Sequence, residues 1–268
     1  MYNIYMSNNR RNIVLIGKTG NGKSSTGNSI LMQKGAFEEA GSLGSVTQTT
    51  QMESTTITDP NDLQRYTVNV VDTPGLFDGT STVTQVSKEI IKCMTLAKEG
   101  IHAFIVVLRI GNRFSEEEAK AIDQLEKLFG PEAVDHMIVV FTRADDLESP
   151  EEWPHILSTA PPLLQNFLDR CHNRIVLFNN KAYKLGRDKE KNKLESQRRE
   201  LLHLINQVMN EKGGKAYTNE IYEKVKEEVK KQELRKNNPE TIDIVEILKP
   251  MMEASSKKNI QEIKTSKV

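Results

Sequence analysis

The 268-residue chain has little cysteine, little aromatic content and no excess of charge of either sign. Two cysteines, Cys93 and Cys171, stand far apart. They offer neither a disulfide framework nor metal-ligand spacing, and reduced thiols in a reducing compartment are the expectation. Five histidines (His102, His136, His155, His172, His203) are scattered without metal spacing and read as surface or packing residues. Lys+Arg and Asp+Glu both number 37. That balance removes the electrostatic case for a nucleic-acid partner, which needs a basic excess on some face. No apolar run approaches the ~18 residues of a membrane span. The first nine residues, Met1 to Asn9, lack the basic start and apolar core of a signal peptide, Tyr2 excludes myristoylation, and Thr265-Ser266-Lys267-Val268 is not a prenylation box. The expectation is a cytoplasmic protein whose contact with membranes is at most indirect.

What the chain does have is periodicity. Short apolar runs at Ile13–Ile16, Ala103–Leu108, Met137–Phe141 and Ile175–Phe178 alternate with helical patterns. This is the signature of a mostly parallel sheet covered on both faces. Thr49–Thr58 and Thr67–Val71 flank the turn residues Asp59-Pro60-Asn61-Asp62 and predict a hairpin, giving one antiparallel edge strand. Gly41 to Thr47 reads as a loop. Ser115 with Glu118 forms a capping box. Behind it Ala119, Ile122, Leu125, Leu128 and Phe129 fall on one helical face, stopped by Gly130-Pro131. A last core helix is expected over Lys193–Lys212, with Leu194, Leu201, Leu204, Ile205 and Val208 inward and Gly213-Gly214 as its stop. From Thr218 the composition turns to Lys and Glu around a thin stripe of Ile221, Val225 and Val229, read as a helix packing loosely on the domain. Trp153 beside Pro154 is read as a packing anchor in a loop.

The chemistry concentrates in three motifs. Gly17-Lys18-Thr19-Gly20-Asn21-Gly22-Lys23-Ser24 is a complete match to the phosphate-binding pattern G-x-x-x-x-G-K-[ST], with Ser25 beginning a helix behind it. Its glycines let backbone N–H groups turn toward a phosphate. Lys23 neutralises outer phosphates, and the Ser24 hydroxyl is a ligand for Mg²⁺. Val70-Val71-Asp72-Thr73-Pro74-Gly75 brings Asp72 to the end of a strand, where its carboxylate holds Mg²⁺, and lets Gly75 present its N–H to the outermost phosphate. Thr47 is the candidate third-phosphate and Mg²⁺ sensor, with Thr49, Thr50, Thr55 and Thr56 as competitors. Phe141-Thr142-Arg143-Ala144-Asp145-Asp146 follows another strand and is similar to the base-reading motif [NT]-[KR]-x-D. A carboxylate there accepts from N1 and N2 of guanine, a pair that adenine lacks. Asp145 or the adjacent Asp146 fills the role. Asn179 or Asn180, after the last strand, closes over the base near O6.

Together with Thr26-Gly27-Asn28-Ser29-Ile30-Leu31, Leu76-Phe77-Asp78, and Phe178-Asn179-Asn180-Lys181-Ala182, these segments resemble the AIG1-type G domain of the immunity-associated GTPases. Val107 to Glu118 resembles that family's conserved box, and Tyr217-Thr218-Asn219 its junction after the last G-domain helix. The box departs from the family's direct Gly-Arg, since Asn112 stands between Gly111 and Arg113. The longer coiled or membrane-anchoring tail of some relatives is not seen either. The resemblance implies a P-loop NTPase three-layer sandwich: an α/β fold with a mostly parallel six-stranded sheet, one antiparallel edge strand and a C-terminal helical extension. The expected divisions are a G domain over 10–214, the extension over 215–254 and a disordered tail over 255–268. It also implies binding of GTP and GDP with Mg²⁺, self-assembly through G domains, and an extension folding back toward the switch region.

Leu76 follows Gly75, where small regulatory GTPases place a water-orienting glutamine. An apolar side chain cannot hold a nucleophilic water by hydrogen bonding, so slow intrinsic hydrolysis is expected. An arginine of the conserved box, reaching the phosphates of a facing subunit, would remedy this by ~10³–10⁵ in rate. Arg113 is the first candidate and Arg109 the second. Catalysis would then rest on Arg113 and Lys23. The alternatives are a scaffold that assembles on GTP with negligible hydrolysis and, if the Thr142–Asp145 match is accidental, an ATPase.

Overall fold

The computed structural model describes residues 9–39, 47, 49–58, 64–75, 83–112, 114–149, 151–181 and 188–235. Six strands make one sheet: β1 (Arg10–Ile16), β2 (Gln51–Thr58), β3 (Arg65–Asp72), β4 (Ala103–Arg109), β5 (Met137–Thr142) and β6 (Ile175–Phe178). Their order is β2-β3-β1-β4-β5-β6. All neighbours are parallel except β2 and β3, which pair antiparallel from Gln51 opposite Asp72 to Thr58 opposite Arg65. The expected hairpin is therefore present, while its turn, Asp59–Asp62, lies outside the described residues. The polar β2 sits at the edge because a strand so rich in Thr and Ser has no apolar face to bury.

The helices are α1 (Lys23–Leu31), α2 (Val83–Leu96), α3 (Glu116–Phe129), α4 (Glu152–Ser158), α5 (Pro162–Arg170), α6 (Asp188–Glu211) and α7 (Glu220–Arg235). Strand side chains alternate strictly between two cores, as the two-residue strand period requires. Ile13, Leu15, Ala103, Ile105, Val107, Ile138 and Val140 face α1 and α6, meeting Ile30, Leu31, Leu201, Ile205 and Val208. Val14, Ile16, Phe104, Val106, Val139 and Phe141 face the opposite layer of α2, α3, α5 and α7. The fold is thus the P-loop NTPase three-layer sandwich, with a mostly parallel six-stranded sheet and one antiparallel edge pairing.

Three details differ from the sequence expectations. The first is α7, which is not loosely held. Tyr222 is fully buried beside Val225 and Val229 in the α2–α3 core, and its hydroxyl donates to the carbonyl of Ala97. The stripe of valines understated this helix because its largest anchor, Tyr222, carries a polar tip. The second is Trp153, which lies within α4 rather than in a loop and packs edge-on against Phe141, ring centres 4.7 Å apart. The third is α6, which begins before Lys193. The predicted capping box of α3 is present, Ser115 and Glu118 serving each other's backbone N–H groups. Residues 236–268, including the expected tail, lie outside the described residues.

Two histidines are core residues, as one of the two expected roles allows. His102 is fully buried at the start of β4, where its Nδ1 accepts from the backbone N–H of Asn12 at 2.9 Å. Burial, with Arg11 and His136 nearby, lowers its pKa to about 4. The unfolded chain takes up this proton below ~6.5 and the folded chain only below about 4. Stability is therefore flat above pH 6.5 and falls as the pH drops from 6.5 toward 4, by up to roughly 3 kcal/mol from this group. His102→Asn keeps an acceptor near the Nδ1 position and removes the titration. Urea titrations between pH 7 and pH 4 are expected to show a flatter stability profile for that variant. An unchanged profile would assign the acid sensitivity to other groups.

Candidate nucleotide-binding site

The C-terminal ends of β1, β3, β4, β5 and β6 point to one edge of the sheet, and every described motif residue lies there. In such sheets this edge is the natural ligand crevice, at the point where chain connections diverge to either side of β1. The loop from Gly17 to Gly22 leaves β1 and enters α1. Gly17 passes so close to β4 that a Cβ on it would stand 2.5 Å from the Val107 carbonyl oxygen. Gly22 takes φ of 96° at the N-cap of α1, a left-handed geometry that glycine adopts without strain. No side chain caps that helix, so its first N–H groups face the crevice, an arrangement suited to an anion. Lys23 is buried, and its Nζ donates to the Lys18 carbonyl at 3.3 Å, which folds the ammonium back over the loop.

The loop is fixed from outside. The Asn21 amide donates to Val107 O and to Glu118 Oε1, both at 3.0 Å. Thr142 donates to the Asn21 carbonyl at 2.7 Å. The first position of the base-reading motif therefore also braces the phosphate loop. The side chains of Thr142 and Asn180 stand 3.4–3.6 Å from where a Cβ on Gly22 would lie.

In front of the loop, three oxygens from separate segments meet. Ser24 Oγ donates to Asp72 Oδ2 at 2.6 Å, Thr47 Oγ1 to the same oxygen at 3.3 Å, and the two hydroxyls are 3.2 Å apart. Of the threonines weighed, Thr47 is the one in this cluster. Thr50 instead donates its N–H and hydroxyl to Glu89 on α2, and Thr55 and Thr56 lie in β2. Asp72 is buried, and its Oδ1 meets no hydrogen-bond donor among the described residues. Burial raises its pKa, opposed by the Ser24 hydrogen bond and the charge of Lys23. Two hydroxyls and a carboxylate with one unmatched oxygen are hard oxygen donors, the set that suits Mg²⁺. A divalent cation there would stabilise the ionised form that burial disfavours.

At the far end of the crevice, Arg143 adopts a left-handed turn (φ 65°) that leads into a short 3₁₀ turn, Ala144–Asp146. Asp145 is the more enclosed of the two aspartates, its side chain 17% exposed against 41% for Asp146. Asp146 pairs with Arg143 at 3.4 Å. Asp145 pairs at 2.5 Å with Lys181, whose pKa is raised by that hydrogen bond and charge. Lys181 stood in the quoted Phe178–Ala182 segment without a role. Asn180 is engaged at both ends with α1, donating to Thr26 Oγ1 at 3.0 Å and accepting from Ser29 Oγ at 2.9 Å. The Asn179 side chain accepts from the Lys181 N–H at 3.0 Å. Both side chains thus also hold neighbouring segments of the protein.

Three further residues had no site role in the sequence reading: Glu39, which accepts from the Ser25 hydroxyl; Thr73, which donates to the Leu15 carbonyl at 2.7 Å; and Glu118. Thr73 lies within the Asp72–Gly75 motif and Glu118 within the capping box, whereas Glu39 belongs to no motif. Gly75 is half-buried, three residues beyond the end of β3. Arg113 and Leu76 lie outside the described residues, as do residues 40–46 and 76–82. Among the described residues no group of His, Cys, Asp and Glu has the arrangement of a metal cluster, and no helix is long and apolar enough to cross a membrane.

Comparison with known proteins agrees with this arrangement. Among solved structures, Toc33 from Arabidopsis thaliana, in complex with GDP and Mg²⁺, superposes with a TM-score of 0.50 over 72% of this chain and 84% of its own at 21% identity, a likeness of fold. Two immune-associated nucleotide-binding proteins of Arabidopsis thaliana are much nearer in sequence. Number 9 is 40% identical over 238 residues, 88% of this chain and 66% of the relative. Number 7 is 37% identical over 88% of this chain and 72% of its own length. The chain thus spans about two thirds of the length of the first relative. The AIG1 family model matches residues 11–237. With that match over most of its length, and with the phosphate loop, Asp72 and the Thr142–Asp145 turn converging at one sheet edge, the chain belongs to the AIG1 family.

Proposed function

We propose that this chain binds GTP and GDP with Mg²⁺ and assembles with itself or with related family members through its G domain, hydrolysing GTP slowly unless a second copy supplies Arg113. One observation carries the nucleotide reading: Ser24 and Thr47, from separate segments, meet at Asp72 Oδ2 in front of a phosphate loop, while the buried Oδ1 of the same carboxylate meets no hydrogen-bond donor among the described residues. Gly17 to Ser25 would hold the phosphates through backbone N–H groups and Lys23, and Gly75 would meet the outermost one. Ser24, Thr47 and Asp72 would hold the cation, which supplies charge neutralisation at the phosphates. Asp145 would read guanine, with Thr142 and Arg143 shaping the turn beneath it and Asn179 and Asn180 the loop beside it. A cytoplasmic setting fits Cys93 and Cys171, both free thiols and buried. A second reading, a nucleotide-controlled scaffold with negligible hydrolysis, is favoured by Leu76.

The test is competition binding. Labelled GDP should bind the full chain, and unlabelled GTP should displace it while a large excess of ATP does not. Chelating Mg²⁺ should weaken binding, and Asp72→Ala should remove that sensitivity. Displacement by ATP as effective as by GTP would replace this reading with an ATPase.

A further inference from the structure

Glu118 lies off the phosphate site, yet its carboxylate is placed between that site and the conserved-box loop. It is 6% exposed. One oxygen, Oε1, accepts from the Asn21 amide of the phosphate loop at 3.0 Å. The other, Oε2, accepts from the backbone N–H of Ser115 at 3.0 Å and the Ser115 hydroxyl at 3.4 Å. Asn21 is itself 2% exposed, with its second amide hydrogen on Val107 O and its carbonyl on Thr142. It therefore cannot move without moving at least one partner. Ser115 is equally committed, since Phe114 before it is buried and stacks on Phe167, ring centres 6.5 Å apart. The short segment leading from Gly111 to Phe114 carries Arg113. One buried carboxylate thus joins the loop that cradles phosphate to the root of the loop that carries this arginine.

We propose that Glu118 is a positioning residue that couples phosphate-loop occupancy to the conserved-box loop, so that nucleotide binding and self-association through that loop are linked. The inference rests on the proposed nucleotide binding and assembly. Phosphate bound among the N–H groups of Gly20 to Gly22 pulls on Asn21. Glu118 passes the shift to the first turn of α3 and to the base of the arginine loop. Linkage makes the effect reciprocal: association would tighten nucleotide retention by the same factor. A carboxylate is needed because both ends face donors. Glutamine in its place keeps the size but has one acceptor oxygen, so it sets donor against donor at Ser115 or at Asn21.

The experiment measures the dimer dissociation constant of the full chain by analytical ultracentrifugation in GDP and in a non-hydrolysable GTP analogue, with labelled-GDP affinity measured alongside. Wild type is expected to differ between the two nucleotides by about fivefold or more. Glu118→Gln should retain GDP affinity while that difference collapses. Ser115→Ala, which removes the hydroxyl cap but leaves its N–H on Glu118, should lower the melting temperature and keep the difference, as a merely structural role would. If Glu118→Gln does not fold, Asn21→Ala severs the same hydrogen bond from the other side and should also abolish the difference. A folded Glu118→Gln that keeps the wild-type difference overturns the coupling alone. A wild-type chain that binds no labelled GDP overturns the proposed function and the coupling with it, whereas one that binds GDP but associates equally in both nucleotides overturns the coupling alone.

Discussion

Asp145→Asn is expected to reduce affinity for GDP and GTP by roughly 10²–10³-fold and to raise affinity for the xanthine nucleotides by a similar factor. Guanine offers two donors on its N1 and N2 edge, and a carboxylate accepts both. Asparagine accepts one and sets its own amide hydrogens against the other. Losing one charge-assisted hydrogen bond and creating one donor–donor clash costs about 3–4 kcal/mol, which is the factor above. Xanthine carries an oxygen where guanine carries the amine, so the same amide hydrogens gain an acceptor. Asp146→Asn is the control. That side chain is 41% exposed and its partners, Arg143 and Lys181, are also at the surface, so its loss should cost less than about 1 kcal/mol. The Lys181 partner of Asp145 is itself 50% exposed, and its release should contribute little. Titration of labelled GDP and labelled xanthosine diphosphate against both variants decides the matter. If Asp146→Asn produces the switch and Asp145→Asn does not, the base reader sits one residue later than the enclosed geometry indicates.

The second expected result is kinetic. Turnover of GTP per molecule should rise with protein concentration, by up to ~10³-fold between dilute and saturating protein, and Arg113→Ala should flatten the rise. Leu76 stands where small regulatory GTPases place a water-orienting glutamine, so on the proposed reading a large acceleration comes from a second copy. The conserved-box loop is suited to supply it. Gly111 and Asn112 are exposed and Phe114 is buried, and these residues flank Arg113 in the sequence. Arg109, half-buried at the end of β4, is the comparison, and Arg109→Ala should leave most of the rise intact. Phosphate release measured over a wide range of protein concentration, with sizing in parallel, separates the two readings of function. A rate per molecule that does not depend on concentration leaves the assembling scaffold with negligible hydrolysis.

Much of this architecture was legible without coordinates because it rests on local rules. Continuous apolar runs such as Ile13–Ile16 have to be buried on both faces, which makes them parallel strands. The glycines of Gly17–Gly22 and the Ser115–Glu118 capping box state their own backbone geometry. Those rules depend only on neighbours in sequence, so the strands, the edge hairpin, α3 and the phosphate loop follow from the residues alone. Assigning α7 to the core required knowing where Ala97 and Met94 lie, since a tyrosine is buried only where its hydroxyl finds an acceptor. Thr47 stood out from its competitors only through its distance to Asp72 and Ser24. Asp145 differed from Asp146 only through enclosure and through the nearer approach of Lys181, distant in sequence, at 2.5 Å against 3.4 Å. Asn180 turned toward α1 because Thr26 and Ser29 wait there. Glu118, a cap by sequence, acquired a second role from Asn21 across the fold. Side-chain type and spacing determined which chemistry this chain can carry. Tertiary structure decided which copies of each residue type carry it, because hydrogen bonding and burial act over a few ångströms between segments that the sequence separates by tens of residues.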